Sequence, residues 1–150
     1  MTCYYCGIDP GQSGGIGILD EAGAVVATFK FKNQTDADIS DIFEYITKLN
    51  DEGDAVFAFL ERVHSMPKQG VASSFKFGVS FGFLQGMLTA HKIPFDYVSP
   101  QKWQKALGCL TKGDKNVTKA KAQRQWPNIK ITHATADAIL IAEYCRLTKK

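Results

Sequence analysis

Two acidic residues stand where the sequence predicts little water. Asp9 follows the largely apolar run Tyr5–Ile8, and Glu61 follows the apolar run Val56–Leu60. Each is expected at the carboxyl end of a strand, where the ligand crevices of α/β sheets lie. A buried, unpaired carboxylate is costly, so two together call for a compensating cation, usually a hard divalent metal ion. A pair of salt-bridged surface acids is the less favoured alternative.

A third acid, Asp137, lies near the start of the last predicted helix. Its neighbours in the segment Ala136–Ile139 are small or apolar, which indicates a packed environment. His133 and Ala134, four and three residues earlier, share the helix face of Asp137 if the helix extends back that far. His133 alone would more often be a capping or core histidine than a metal ligand.

The elements that must position these acids follow from apolar periodicity and turn residues. The predicted strands are Tyr4–Asp9, Gly14–Leu19, Ala24–Phe31, Ala55–Leu60 and Phe95–Val98. The predicted helices are Asp38–Leu49, Ser73–His91, Gln101–Leu107, Val117–Trp126 and Thr135–Leu147. Ser99 and Pro100 supply an N-cap and a first-turn proline for the third helix. This order predicts an antiparallel start followed by a mixed sheet with helices on both faces.

Composition places the chain among ordinary globular proteins. It has 150 residues, of which 45% are hydrophobic and 22% are charged, so we expect one domain over residues 1–150. No signal peptide is expected, and the apolar stretch Phe77–Ala90 is shorter than the roughly 20 residues of a membrane span. Cys3 and Cys6 form a CxxC without a second pair or a nearby histidine, which favours structural cysteines over zinc ligands.

Charge is unevenly distributed along the chain. Up to Val98 there are 7 Lys and Arg against 12 Asp and Glu, whereas from Ser99 onward there are 11 against 3. The first part carries a net charge of −5 and the second a net charge of +8. A basic C-terminal third is suited to a phosphate backbone, because each neutralised phosphate releases condensed counterions. For any single lysine, a solvated surface position is an equally good interpretation.

Four motifs in series resemble those of the RuvC-type Holliday junction resolvases, members of the ribonuclease H-like nuclease superfamily. They span nearly the whole chain in the family's order. The matching segments are Gly7–Gly11 with Gly14 and Gly15, then Leu60–Val63, Lys119–Gln123 and Ala136–Ala142. By this resemblance the fold would be α/β, with a five-stranded mixed sheet, its first three strands antiparallel, flanked by helices.

The resemblance also implies an activity. Asp9, Glu61 and Asp137 would be catalytic carboxylates that bind two Mg²⁺ ions, with Mn²⁺ as a substitute, at the scissile phosphate. Such an ion pair activates water and stabilises the departing 3′ oxygen, leaving a 5′-phosphate. Lys121 matches the lysine of the basic helix and would stabilise charge at the phosphate or orient the water. The expected enzyme is a crossover junction endodeoxyribonuclease that makes paired symmetric nicks.

One position departs from the family pattern. The family has Asp or His three residues before the last aspartate, whereas this chain has Ala134. Either His133 takes over as the metal ligand, or Ala134 is an inactivating replacement for an acid. We favour the replacement, which would make the chain a poor catalyst.

Several residues are expected to contact branched DNA. The basic residues around Lys121 would hold the junction backbone without reading bases, and they are Lys112, Lys115, Lys119 and Arg124. In the family, the loop after the second acid probes the junction centre. The matching candidates here are His64, Met66 and Lys68, although the loop could also be a flexible connector.

The predicted helix Ser73–His91 carries Gly78, Gly82 and Gly86 at intervals of four, here called the glycine stripe. Three helical glycines cost a few kcal/mol in total, so something must approach this side closely. Packing on the sheet is one explanation, and a two-fold homodimer interface is the other. A C₂ dimer would match the symmetry of a four-way junction.

Two other classes of function remain open. A catalytically silent junction-binding module would keep the basic surface and Ala134. An actin-like nucleotide-binding protein could share the Asp-x-Gly turn, but such proteins use two domains around the nucleotide, and this length supplies one. The expected location is the cytoplasm, in a phage or bacterial setting, with an organelle less favoured.

Overall fold

The computed structural model describes residues 1–51, 53–63 and 70–149. The strands are β1 (Cys3–Asp9), β2 (Gly15–Leu19), β3 (Val25–Lys30), β4 (Ala55–Glu61) and β5 (Phe95–Val98). The helices are α1 (Asp36–Asp51), α2 (Val71–Ala90), α3 (Pro100–Ala106), α4 (Asn116–Gln125) and α5 (His133–Lys149). Every predicted strand and helix is present, and no end differs from the prediction by more than two residues.

The strands form one mixed sheet in the order β3-β2-β1-β4-β5. β1, β2 and β3 pair antiparallel, whereas β4 lies parallel to both β1 and β5. The predicted mixed sheet with three antiparallel initial strands is therefore confirmed. Because Ile8 pairs with Leu60, the next residues of the two strands, Asp9 and Glu61, reach the same edge of the sheet.

Helices cover both faces of the sheet, as predicted. One buried cluster packs Tyr5, Phe59 and Trp103 with α4 and α5, and the other packs Ile8 and Leu60 with α1 and α2. Side chains of a strand alternate between faces, so the pair in the CxxC segment divides between the two clusters. Cys3 packs against the first cluster and Cys6 belongs to the second, and both thiols are free.

Glycines allow α5 to lie directly on the sheet. A Cβ on Gly7 would collide with the backbone of Ala138 and Ala142, and a Cβ on Gly17 would lie 2.9 Å from the Cα of Ile139. At this separation only a residue without a side chain fits. The close approach sets how near the N-terminal turn of α5 comes to the sheet edge that carries Asp9 and Glu61.

Local capping explains the small differences at helix ends. Thr35 and Asp38 cap α1 reciprocally, with Thr35 Oγ1 accepting from the Asp38 amide at 3.1 Å and Asp38 Oδ2 accepting from the Thr35 amide at 2.9 Å. The helix therefore begins at Asp36. α5 begins at His133, two residues earlier than predicted, so His133 and Ala134 are helical.

The glycine stripe does not pack on the sheet, and that explanation for it is wrong. Among the described residues, no atom outside the local helix lies within 4 Å of a Cβ built on Gly78, Gly82 or Gly86. Leu84 and Leu88 are the α2 side chains buried in the core instead. The stripe therefore lies on the outer side of α2. None of the helices in the described ranges is long and apolar enough to cross a membrane.

Candidate active site

Asp9 and Glu61 meet at the carboxyl ends of the two central strands. β1 and β4 are parallel neighbours, and their two carboxyl groups share a hydrogen bond. Glu61 is only 7% exposed. Both acids therefore stand at one edge of the sheet, where Glu61 is buried and Asp9 is half-buried.

Asp137 approaches the pair from α5, on the turn after the helix begins. The Ala134 carbonyl oxygen would lie 2.9 Å from a Cβ on Gly15, which is the β2 residue paired with Asp9. The start of α5 therefore rests against the strand beside Asp9. The charge of Asp137 raises the pKa of both Asp9 and Glu61, so the three carboxyl groups act on one another.

Burial dominates the electrostatics of this cluster. It raises the pKa of Asp9 well above its usual range, and the neighbouring carboxylates of Glu61 and Asp137 raise it further. Burial also raises the pKa of Glu61 to about 7 and that of Asp137 above its ordinary value. The pKa values of all three acids are therefore raised in the folded protein.

Arg62 follows Glu61 directly but does not neutralise it. Its guanidinium lies 5.1 Å from the centre of the Tyr97 ring, a cation–π arrangement. In the described part of the chain the ion pair that forms is Arg146 with Glu143, at 2.7 Å, far along α5 from Asp137. The sheet edge at Asp9 and Glu61 therefore has no ion-pair partner among the described side chains.

Sequence reasoning missed Trp103. Its indole Nε1 donates to Glu61 Oε2 over 2.6 Å, and the residue is completely buried. This hydrogen bond lowers the pKa of Glu61, in opposition to burial. The available signal was the helix start at Ser99 and Pro100 directly after β5, which fixes a tryptophan one turn later beside the end of β4.

Lys115, rather than Lys121, is the lysine that acts on the carboxylates electrostatically. The charge of Lys115 lowers the pKa of both Asp9 and Asp137. The charge of Lys121 instead lowers the pKa of Cys109, opposing the effect of burial there. Lys115 is exposed, directly before α4, and Lys121 is half-buried within that helix. The sequence analysis had placed Lys115 among the DNA contacts only.

The other predicted DNA contacts divide between described and undescribed regions. Lys112 and Arg124 are exposed and Lys119 is half-buried, all within or just before α4. His64, Met66 and Lys68 lie outside the described residues.

His133 and Ala134, the two residues considered at the fourth metal-ligand position, lie on the first turn of α5. His133 is exposed, and its charge lowers the pKa of Asp137. Ala134 is half-buried and lies against the start of β2. Thr118 of α4 is buried, and a hydrogen bond from its side chain also lowers the pKa of Asp137.

The donor set fits a hard divalent cation. Three carboxyl groups, two of them hydrogen-bonded to each other, supply the oxygen ligands that Mg²⁺ prefers. Within the described ranges, no three His, Cys, Asp or Glu side chains are already gathered closely enough to hold an ion. Asp9, Glu61 and Asp137 are nevertheless the residues that would hold one, because a cation would relieve the mutual repulsion and burial that raise their pKa values.

Comparison with known proteins gives a match in structure. No protein-family model and no curated protein matches the chain. A structure of Thermus thermophilus RuvC matches with a TM-score of 0.61 and 15% identity, covering 95% of this chain and 91% of the other. The Thermus thermophilus RuvC complex with Holliday junction substrate matches with a TM-score of 0.61 and 15% identity, covering 93% and 90%. The fold expected from the sequence motifs is thus confirmed: the chain has a RuvC-like fold.

Proposed function

We propose that this protein is a divalent-metal-dependent DNA endonuclease that resolves four-way junctions by paired symmetric nicks. The observation that carries the proposal is that Asp9, Glu61 and Asp137 lie near enough at one sheet edge for the charge of Asp137 to raise the pKa of the other two, without an ion-paired cation among the described residues. A purely structural role would not justify placing one buried and two half-buried acids so close that they repel one another. The RuvC-like fold supports the same class of enzyme.

The chemistry follows from the properties of the site. When bound, two Mg²⁺ ions, or Mn²⁺ in their place, would supply Lewis-acid activation of water and offset charge on the departing oxygen. Asp9, Glu61 and Asp137 would provide the oxygen ligands. Lys115 stands exposed beside two of these acids and would contact the non-bridging phosphate oxygens, while Lys121 on the same helix would support charge at the phosphate.

The basic residues near α4 would hold the DNA backbone. Lys112, Lys119 and Arg124 continue the positive surface away from Lys115. Contacts of this kind position a duplex arm without reading its sequence. His64, Met66 and Lys68 are proposed to contact the junction centre, since they directly follow the β4 end that carries Glu61.

We propose that position 134 limits catalysis. Ala134 lies three residues before Asp137 on the same helix and against the strand that pairs with Asp9. An acid there would add a fourth oxygen ligand at the cluster. The test is Mg²⁺-dependent cleavage of an end-labelled four-way junction and a matching linear duplex, comparing the wild-type chain with Ala134→Asp.

Three outcomes of this assay distinguish the proposals. Cleavage by the variant alone, with paired nicks and an intact duplex, supports both the nuclease assignment and the inactivating effect of Ala134. Cleavage by both forms supports the nuclease and shows that His133 or water completes the ligand set. Tight junction binding without cleavage by either form would replace the enzyme with a silent binding module, the alternative that Ala134 favours.

We also propose a homodimer formed through α2. The outer side of this helix exposes Phe75 by 71% and Val79 by 55%, beside the glycine stripe. A cavity of about 390 Å³, lined in part by Phe75, Val79 and Phe31, continues this apolar surface toward α1. Small residues allow two helices to approach closely, and a two-fold axis would place two active sites on opposed strands of a junction.

The proposal treats residues 1–150 as one nuclease domain. A junction-resolving enzyme works where DNA is recombined, so we place it in the cytoplasm of a bacterial cell, whether it is encoded by the bacterium or by a phage.

A further inference from the structure

Trp103 contacts the acidic cluster through a neutral hydrogen-bond donor, its indole N–H. Its Nε1–H donates to Glu61 Oε2 over 2.6 Å, and no part of the residue is exposed. An indole N–H is a donor only and is uncharged. It can therefore hold the Glu61 carboxylate in place without cancelling the negative charge that attracts a divalent cation. A lysine or arginine at this point would do the opposite.

The backbone builds this contact from two paired strands. Glu61 pairs with Val98, and the Arg62 amide donates to the Val98 carbonyl at 2.9 Å. Ser99 then caps α3, with its Oγ accepting from the Lys102 amide at 3.2 Å. One helical turn later the indole reaches Glu61. Strand register and helix cap together fix the donor relative to the carboxylate.

The contact restricts how Glu61 can turn. One carboxylate oxygen accepts from the indole of a residue that is completely buried, while the same carboxyl group is hydrogen-bonded to Asp9. Rotation about the terminal torsion of Glu61 would break both hydrogen bonds. The carboxylate is therefore held facing Asp9, and the two residues would together supply oxygen ligands to a divalent cation.

We propose that Trp103 is a positioning residue that orients Glu61 for divalent-cation binding. This role rests on the proposed metal-dependent function. Partners that orient metal ligands affect metal affinity or activity by about 10- to 100-fold when they are removed. Trp103→Phe keeps an aromatic ring in the core but lacks the donor, so it should weaken Mn²⁺ binding by about that factor.

The chain contains a matched control. It has two tryptophans, and the second, Trp126, is also buried, with its Nε1 donating to the Gly23 carbonyl over 2.8 Å. Gly23 lies in the turn between β2 and β3, at the opposite end of the sheet from Asp9. Trp126→Phe therefore removes the same kind of donor from a similar setting without touching Glu61.

The first experiment measures Mn²⁺ affinity by electron paramagnetic resonance on the full chain, comparing wild type, Trp103→Phe and Trp126→Phe. Circular dichroism verifies that each variant is folded. Weakened Mn²⁺ binding by Trp103→Phe, with wild-type affinity in Trp126→Phe, supports the proposal. Equal affinities in the two folded variants would overturn it.

A second readout keeps the test decisive if Trp103→Phe does not fold. Two tryptophans give two indole N–H signals in a ¹⁵N-correlated spectrum, and Trp126→Phe assigns them. Mg²⁺ addition and the substitution Glu61→Gln should each move the Trp103 signal and leave the Trp126 signal in place. A Trp103 signal that responds to neither change overturns the positioning role.

Cleavage assays in the Ala134→Asp background separate this inference from the proposed function. If the Ala134→Asp protein cuts junctions and adding Trp103→Phe leaves its Mn²⁺ affinity unchanged, the proposed role of Trp103 is wrong and the proposed nuclease function stands. If Trp103→Phe weakens Mn²⁺ binding but the Ala134→Asp protein does not cut DNA, the positioning role of Trp103 is supported and the proposed nuclease function is refuted.

Discussion

The acidic cluster should destabilise the protein when no metal is bound, and Glu61→Gln measures by how much. Burial raises the pKa of Glu61 from an ordinary value of 4.5 to about 7. That shift corresponds to about 3 kcal/mol of unfavourable free energy for the ionised side chain in the folded protein. Glutamine removes the charge yet can still accept from Trp103 and donate to Asp9.

The effect of Glu61→Gln on the free energy of unfolding should depend on pH. Below pH 4.5 the Glu61 carboxyl is protonated in both the folded and the unfolded chain, so the substitution should change little. As the pH rises from 4.5 to about 7, the unfolded chain binds fewer protons than the folded chain, and the wild-type protein loses stability. Above pH 7 the loss is complete, so Glu61→Gln should be more stable than wild type by about 3 kcal/mol at pH 8.

Urea unfolding in the presence of a chelator, at pH 4.5, 6 and 8, measures this difference. Glu143→Gln is the control, because Glu143 is also a buried glutamate but is paired with Arg146 at 2.7 Å. Its loss should destabilise the protein by about 2 kcal/mol. Added Mg²⁺ should stabilise wild type and not Glu61→Gln, since only the native ligand set binds the cation. A Glu61→Gln variant that is no more stable than wild type at pH 8 would refute the reasoning.

Two further predictions concern the surface around the site. In the Ala134→Asp background, Lys115→Ala should slow junction cleavage at saturating DNA by about 10²-fold, as expected for loss of a charge that faces the reacting phosphate. Single-turnover kinetics measure this rate. If Lys121→Ala slows cleavage more than Lys115→Ala does, Lys121 is the more important lysine in catalysis. Phe75→Glu should convert the proposed dimer into a monomer without lowering the melting temperature, because Phe75 is 71% exposed within one chain. Sedimentation analysis measures the mass of this variant and of a second variant, Val79→Glu. A mass unchanged from that of the wild-type dimer would exclude α2 as the interface.

Much of the fold could be predicted because local patterns and packing agree. The apolar run that ends at Glu61 forms the interior strand β4, and the helical spacing from Ile39 to Ile46 forms the buried side of α1. The helix start at Ser99 and Pro100 was also correct, because a side-chain cap and a proline act within one turn. In these cases the information is contained in a few neighbouring residues.

Features that depend on distant contacts were missed. The helix start at Ser99 places Trp103 one turn after β5, but no residue near Trp103 in sequence identifies Glu61, 42 positions away, as its partner. The glycine stripe suggested packing on the sheet, yet helical periodicity alone does not say which side of α2 faces the core. Likewise the basic residues Lys115 and Lys121 are six positions apart, and only the packing of α4 against α5 decides which of them acts on Asp137.

The partners of the acidic cluster fall into two kinds with different consequences. The groups that hydrogen-bond Glu61 and Asp137 from inside the fold, Trp103 and Thr118, are neutral. The cationic groups that act on Asp137, Lys115 and His133, are both exposed. Neutral donors fix the direction of the carboxylates and preserve their charge, so a divalent cation remains strongly attracted. Exposed cations can move toward an incoming phosphate. A site that must bind a metal ion and then a polyanion needs this separation, because a buried lysine in the cluster would replace the metal instead of assisting it.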